Sequence, residues 1–232
     1  MKWAHAEPCH HACAHSVATV SFPSSSSWSL KGLYVILDPA ASSERALVDV
    51  LTQAAENGTR LFQYRDKTSP MREAYRQAAK LRQAAADAGA LFFVNDRCDL
   101  ALAVDADGVH LGQDDLPLSH ARSLLGPAKI IGVSTHRASQ VQEATRGRAN
   151  YLGFGPIFPT GTKPHHEPVV GIEGLRHIRP LTQLPVFAIG GITIDSLDAL
   201  IEAGADGVAV ISAILNAPNV PDAVRAFMAR FP

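Results

Sequence analysis

Polar, charged and glycine residues in this chain fall in short clusters, each directly after a short apolar run. The clusters are Gln63-Tyr64-Arg65-Asp66-Lys67, Asn95-Asp96-Arg97, Gly112-Gln113-Asp114-Asp115 and Ser134-Thr135-His136, then Thr160-Gly161-Thr162-Lys163, Gly190-Gly191 and Ile211-Ser212. Arg65, Lys67 and Lys163 are cations suited to an anionic substrate, and Asp96 and Asp115 are carboxylates of the kind that hold magnesium. Mg²⁺ keeps several waters and takes one or two protein carboxylates together with phosphate oxygens. The combination suits a phosphorylated substrate bound through Mg²⁺, with the cations stabilising charge on a departing oxygen. Surface salt bridges are the plainer reading of any one such pair, but they account poorly for five residues drawn from four separate clusters.

Glycine signals a second kind of anion site. AIGGIT at 188–193 and GVAVIS at 207–212 each put a glycine or small residue where an apolar run ends. Backbone N–H groups in such turns bind phosphate without a basic side chain. The connection 155–171 contains Pro156, Pro159, Pro164 and Pro168 and offers Thr160, Thr162 and Lys163. It is long for its kind, and long loops in compact domains serve as lids or binding segments. Cys98 has no base beside it, and Ser134 with His136 make no triad by spacing alone, so acyl transfer is not expected.

The elements that must position these clusters follow from periodicity. Apolar runs at 33–37, 60–64, 90–94, 108–111, 129–133, 150–154, 185–189 and 207–211 read as strands buried on both faces. Amphipathic segments near 44–57, 69–88, 97–104, 117–125, 137–147, 172–179, 193–203 and 219–230 read as helices. Gly58, Gly89, Gly126, Gly147 and Gly204 fall just past helix ends, where a left-handed residue is favoured. Eight strand–helix alternations with no G-x-G-x-x-G opening predict an α/β fold of one (β/α)₈ barrel over 31–232, rather than an open doubly wound sheet. The clusters then lie at the C-terminal ends of the strands, where barrels of this type carry their active sites.

Composition limits the alternatives. A net charge of −1 gives no reason to expect nucleic acid or an anionic membrane as partner. No apolar run approaches the roughly 20 residues of a membrane span. Three cysteines are too few for a disulfide framework, which favours a reducing cytoplasm. Residues 1–30 are His- and Ser-rich without period and read as a disordered extension; Cys9, His10, His11, Cys13 and His15 there are conceivable zinc or nickel ligands.

Taken in order, QYRDK, VNDR, DGVHLGQDD, GVSTH, GFGPIFPTGTK, AIGGIT and GVAVISAI resemble the strand ends of thiamine-phosphate synthases. The resemblance runs from about Gly32 to the C-terminus. It implies a transferase that joins an aminopyrimidine methyl diphosphate to a thiazole phosphate, carboxylated or not, and releases pyrophosphate. It further implies that Gln63, Tyr64, Arg65, Asp66, Lys67, Asn95, Ser134 and Lys163 contact the pyrimidine diphosphate, and that Asp96 and Asp115 ligate one Mg²⁺. Arg65, Lys67, Ser134 and Lys163 take the catalytic roles on this carry-over. Thr160, Gly161, Thr162, Gly191, Ile211 and Ser212 resemble the thiazole-phosphate site. A related thiazole tautomerase shares the barrel but lacks much of the Arg, Lys and carboxylate set present here. A non-catalytic regulator binding the same phosphorylated ligands is the other alternative.

Overall fold

The computed structural model describes residues 30–42, 45–161 and 167–231. Eight parallel strands close into a barrel in chain order: β1 (Gly32–Leu37), β2 (Leu61–Tyr64), β3 (Leu91–Asn95), β4 (Gly108–Leu111), β5 (Ile130–Thr135), β6 (Tyr151–Phe154), β7 (Val186–Ile189) and β8 (Gly207–Val210). β8 pairs back onto β1 from Gly32 opposite Gly207 to Val35 opposite Val210, which closes the ring. The helices are α1 (Leu47–Glu56), α2 (Met71–Asp87), α3 (Cys98–Ala103), α4 (Leu118–Leu125), α5 (Ala138–Arg146), α6 (Gly171–Ile178), α7 (Leu197–Glu202), α8 (Ser212–Leu215) and α9 (Val220–Met228). None among the described residues is long and apolar enough to cross a membrane.

Each helix lays an apolar stripe on the barrel. In α2 the buried positions Ala74, Ala78, Leu81 and Ala85 recur at three- and four-residue spacing, which is the helical face-to-core period. The strands bury both faces, as their continuous apolar runs require. Alternation then sorts the side chains: Tyr34, Gln63, Phe93, His110, Tyr151 and Phe187 point into the barrel, and their neighbours face the helices. Tyr34 meets Phe93, Phe187 and Tyr151 edge-on at ring-centre distances of 5.6, 5.4 and 5.9 Å. This aromatic layer is the floor on which the rim residues stand. Its room comes partly from Gly132, where an added Cβ would lie 2.0 Å from the Tyr151 ring.

All eight expected strands are present, each within two residues of the expected bounds. Two expectations are corrected. The segment after β8 contains the extra helix α8, hidden because SAIL continues the apolar run of the strand. Gly147 is not left-handed (φ −73°); Arg148 takes that conformation instead (φ 61°), and Gly147 makes room for the Leu118 side chain. Cys98 is buried, and burial pushes its thiol up, as suits an unreactive cysteine. Residues 1–29, including Cys9, His10, His11, Cys13 and His15, lie outside the described residues; Leu30 already packs against the core.

Candidate functional site

Above the aromatic floor a cavity of about 820 Å³ opens at the C-terminal ends of the strands. Gln63, Ser134, Thr160, Gly191, Ile211 and Ser212 line it, together with Tyr34, His110 and Tyr151 from the floor. Residues from β1, β2, β4, β5, β6, β7 and β8 therefore meet in one space, as a barrel mouth dictates.

Beside the cavity stand the charged groups. Lys67 pairs with Asp96, and Asp96 is hydrogen-bonded to Asp115. Asp115 also accepts from the Gly112 amide at 2.6 Å. Burial, aided by the hydrogen bond and charge of Asp115, pushes the Asp96 carboxyl up to about 6, against the pull of Lys67. Asp115 is lowered: burial opposes its charge, but the hydrogen bonds from Asp96 and Gly112 and the charge of Lys67 outweigh it. Asp96 has φ +62°, a left-handed conformation that a non-glycine residue holds only under constraint. Two close carboxylates that share a proton because both ionise poorly together are a donor pair for a hard divalent cation, which takes one or two carboxylates. These residues fit Mg²⁺; among the described residues no cluster of three or more His, Cys, Asp or Glu offers a larger ligand set.

Arg65 forms an ion pair with Asp38, a buried carboxylate at the end of β1 that also accepts from the Ala40 amide at 2.9 Å. Asn95 ends β3 half-buried, on the face shared with Phe93. Tyr64 and Asp66 sit differently from their neighbours. Tyr64 alternates with Gln63 and so faces the helices, where its hydroxyl donates to Asp66 at 2.7 Å. Asp66 also accepts from the amides of Thr68 and Ser69 at 3.0 and 2.9 Å. Burial raises the Asp66 carboxyl, but these bonds together bring it down to about 2. The pair shapes the loop that presents Arg65 and Lys67; of the expected pyrimidine-side residues Gln63 and Ser134 line the cavity, while Tyr64, Arg65, Asp66, Lys67, Asn95, Asp96 and Asp115 do not.

On the opposite side, Gly190 (φ 87°) and Gly191 (φ 66°) turn the chain out of β7. A Cβ on Gly191 would lie 2.5 Å from the Pro159 carbonyl oxygen, so the turn presses against the β6 loop. That loop is tied to β7 by Ile157 N–H to Ile189 O at 2.8 Å and Phe158 N–H to Gly190 O at 3.1 Å. Ser212 and Ala213 open α8, where the first amides have no partner within the helix. Thr160 lines the cavity and Gly161 follows it, while Thr162, Lys163, His165 and His166 lie outside the described residues.

Sequence reading missed Asp38, the partner of Arg65, because a single Asp before Pro39 looks like a turn residue. It gave no role to Gln113, which donates to the Ser134 carbonyl at 2.6 Å, or to Tyr34 and Tyr151, which lie inside the apolar strand runs. Strand parity held the missing signal: once Gln63 is placed inward, Tyr34 and Tyr151 follow by register.

A family model described as thiamine monophosphate synthase matches residues 33–214. A thiamine-phosphate synthase of Moorella thermoacetica is 45% identical over 193 residues, covering 83% of this chain and 92% of that protein. One of Chloroflexus aurantiacus is 46% identical over 193 residues, covering 83% and 89%. Among solved structures, a thiamine phosphate pyrophosphorylase from Pyrococcus furiosus is similar with a TM-score of 0.77 at 41% identity, covering 86% of this chain and 94% of that one. With nearly the whole barrel matched on sequence and structure, the chain belongs to the thiamine monophosphate synthase family, and it is a transferase.

Proposed function

We propose that this protein is a thiamine-phosphate synthase that joins 4-amino-2-methyl-5-hydroxymethylpyrimidine diphosphate to a thiazole ethyl phosphate, giving thiamine phosphate and pyrophosphate. One observation carries the reading: the C-terminal strand ends hold a cation–carboxylate group at β2 to β4, beside the cavity, and a backbone-amide side at β7 and β8 that lines it. The first suits a diphosphate that departs and the second a monophosphate that only anchors.

In this reading Gln63 and Asn95 orient the pyrimidine, while Arg65 and Lys67 hold the diphosphate, and Ser134 donates a hydrogen bond to it. Lys163 and Thr162 are assigned to the same rim by sequence. Mg²⁺ held by Asp96 and Asp115 would supply further stabilisation of negative charge on the leaving oxygens. The methylene carbon–oxygen bond breaks with its electron pair going to pyrophosphate, and the electron-rich pyrimidine spreads the positive charge left on carbon. The thiazole nitrogen then forms the new bond with its own lone pair, so no enzyme nucleophile is needed. Amides near Gly191 and Ser212, with Thr160 and Gly161, hold the thiazole phosphate and make the coupling effectively intramolecular. The loop after β6 covers the cavity from water, which would otherwise capture the cationic carbon. Both substrates are strongly charged and do not cross a bilayer unaided, which suits a reaction in the cytoplasm. The test is incubation with both phosphorylated substrates and Mg²⁺. Pyrophosphate and thiamine phosphate should appear in equal amounts; tight binding of either ligand without product would turn the reading to a non-catalytic binder.

A further inference from the structure

Five side chains form an unbroken hydrogen-bonded chain across the barrel floor. Gln63 Nε2 donates to the Tyr34 hydroxyl at 2.8 Å. The Tyr34 and Tyr151 hydroxyls are 2.9 Å apart. Tyr151 meets His110 Nδ1 at 3.0 Å, and His110 Nε2 meets Ser134 Oγ at 2.8 Å. All five are buried, and they come from β1, β2, β4, β5 and β6. With one donor and one acceptor role per member along it, such a chain has two self-consistent directions, because each hydroxyl and a neutral imidazole give one proton to the next.

The end groups choose between them. The Gln63 amide nitrogen only donates, so Tyr34 accepts there, and donating to Tyr151 is the arrangement that uses the Tyr34 proton within the chain. Tyr151 then donates to His110 Nδ1, His110 carries its proton on Nε2, and that N–H donates to Ser134 Oγ. With its oxygen occupied on the His110 side, the Ser134 hydroxyl directs its proton into the cavity. At that end an anionic ligand requires a donor, so both ends favour the same direction. Burial pushes the Tyr34 and Tyr151 hydroxyls up, which keeps both protonated and able to donate.

We propose that Tyr34, Tyr151 and His110 are positioning residues forming a one-directional relay, which locks the Ser134 hydroxyl as a donor to the departing diphosphate. No proton crosses the relay; it sets orientation. The inference rests on the synthase reading for its catalytic consequence and for the anion at the Ser134 end, but the His110 tautomer can be measured on the protein alone.

The two parts are tested separately. Nitrogen-15 NMR of the histidine rings in the full chain, with His110 assigned by comparison with His110→Gln, should show a neutral ring protonated on Nε2. A ring protonated on Nδ1, or on both nitrogens at neutral pH, overturns the relay direction. For the catalytic part, Tyr151→Phe removes one hydroxyl and keeps the ring. It should lower kcat by roughly tenfold, the worth of one neutral hydrogen bond, with KM for the pyrimidine diphosphate little changed. In the Ser134→Ala background the same substitution should have no further effect, since Tyr151 acts through Ser134. Additive losses, or a single variant as active as wild type, overturn the positioning role. A wild-type protein that makes no pyrophosphate overturns the synthase reading, and the tautomer measurement still decides the relay.

Discussion

Asp96 combines a strained backbone with a carboxyl that ionises late. Its φ of +62° is tolerated best by Gly, Asn and Asp, so Asp96→Asn keeps the conformation and removes the charge. With the folded value near 6 and the ordinary value at 3.8, the folded apoprotein binds more protons than the unfolded chain between those pH values. Stability of the apoprotein therefore falls as pH rises from about 4 to about 6 through this group, and Asp96→Asn should flatten that slope in thermal melts. Metal ions compete with the same proton, so Mn²⁺ or Mg²⁺ affinity measured by calorimetry should weaken as pH drops below about 6. Asp96→Asn should also cost at least about 100-fold in metal-dependent turnover while the melt stays cooperative. Asp96 was legible from its place after an apolar run. Its strain was not, since φ depends on how β3 hands the chain to α3.

At the scale of elements, the β7 turn and the β6 loop act as one unit. Gly191→Ala places a Cβ 2.5 Å from the Pro159 oxygen and imposes a left-handed conformation on alanine. Left-handed geometry alone costs about 1–2 kcal/mol, and the displaced loop adds to it. The expected result is a KM for the thiazole phosphate raised by roughly tenfold or more, with a smaller change for the pyrimidine diphosphate, read from steady-state pyrophosphate release. The opposite rim is built for stability instead. Asp107 and Asp206, each just before an even strand, accept from the amides of Phe92 and Val186 at 2.8 Å and lie beside Arg82 and Arg179. The sequence repeats ADGV at 106–109 and 205–208 in part for this reason: in both, an Asp bonds the preceding strand's free amide.

Across the whole molecule, barrel closure decides what the floor can hold. The rings of Tyr34, Phe93, Tyr151 and Phe187 share one layer only because Gly132 has no side chain to meet the Tyr151 ring. Gly132→Ala should destabilise the fold by about 1–3 kcal/mol, measured by denaturant melts. It should also lower activity, because the ring that shifts carries the Tyr151 hydroxyl. Strands were legible because a barrel wall buries both faces and so needs continuous apolar runs. The helix α8 was not, because four apolar residues after a strand have no period of their own.

The sequence alone determined the number and order of strands, the rim at which the polar clusters gather and the residue types on it. Those follow from local periodicity and from the rule that loops after parallel strands gather at one end. Tertiary structure decided which of those residues meet. Period-two alternation turned Gln63 inward and Tyr64 outward, and closure set Asp38 against Arg65 and Asp96 against Asp115. It also joined Gln63 to Ser134 through three floor residues from strands far apart in the chain. Such pairings depend on register around a closed ring, which no short stretch of sequence encodes.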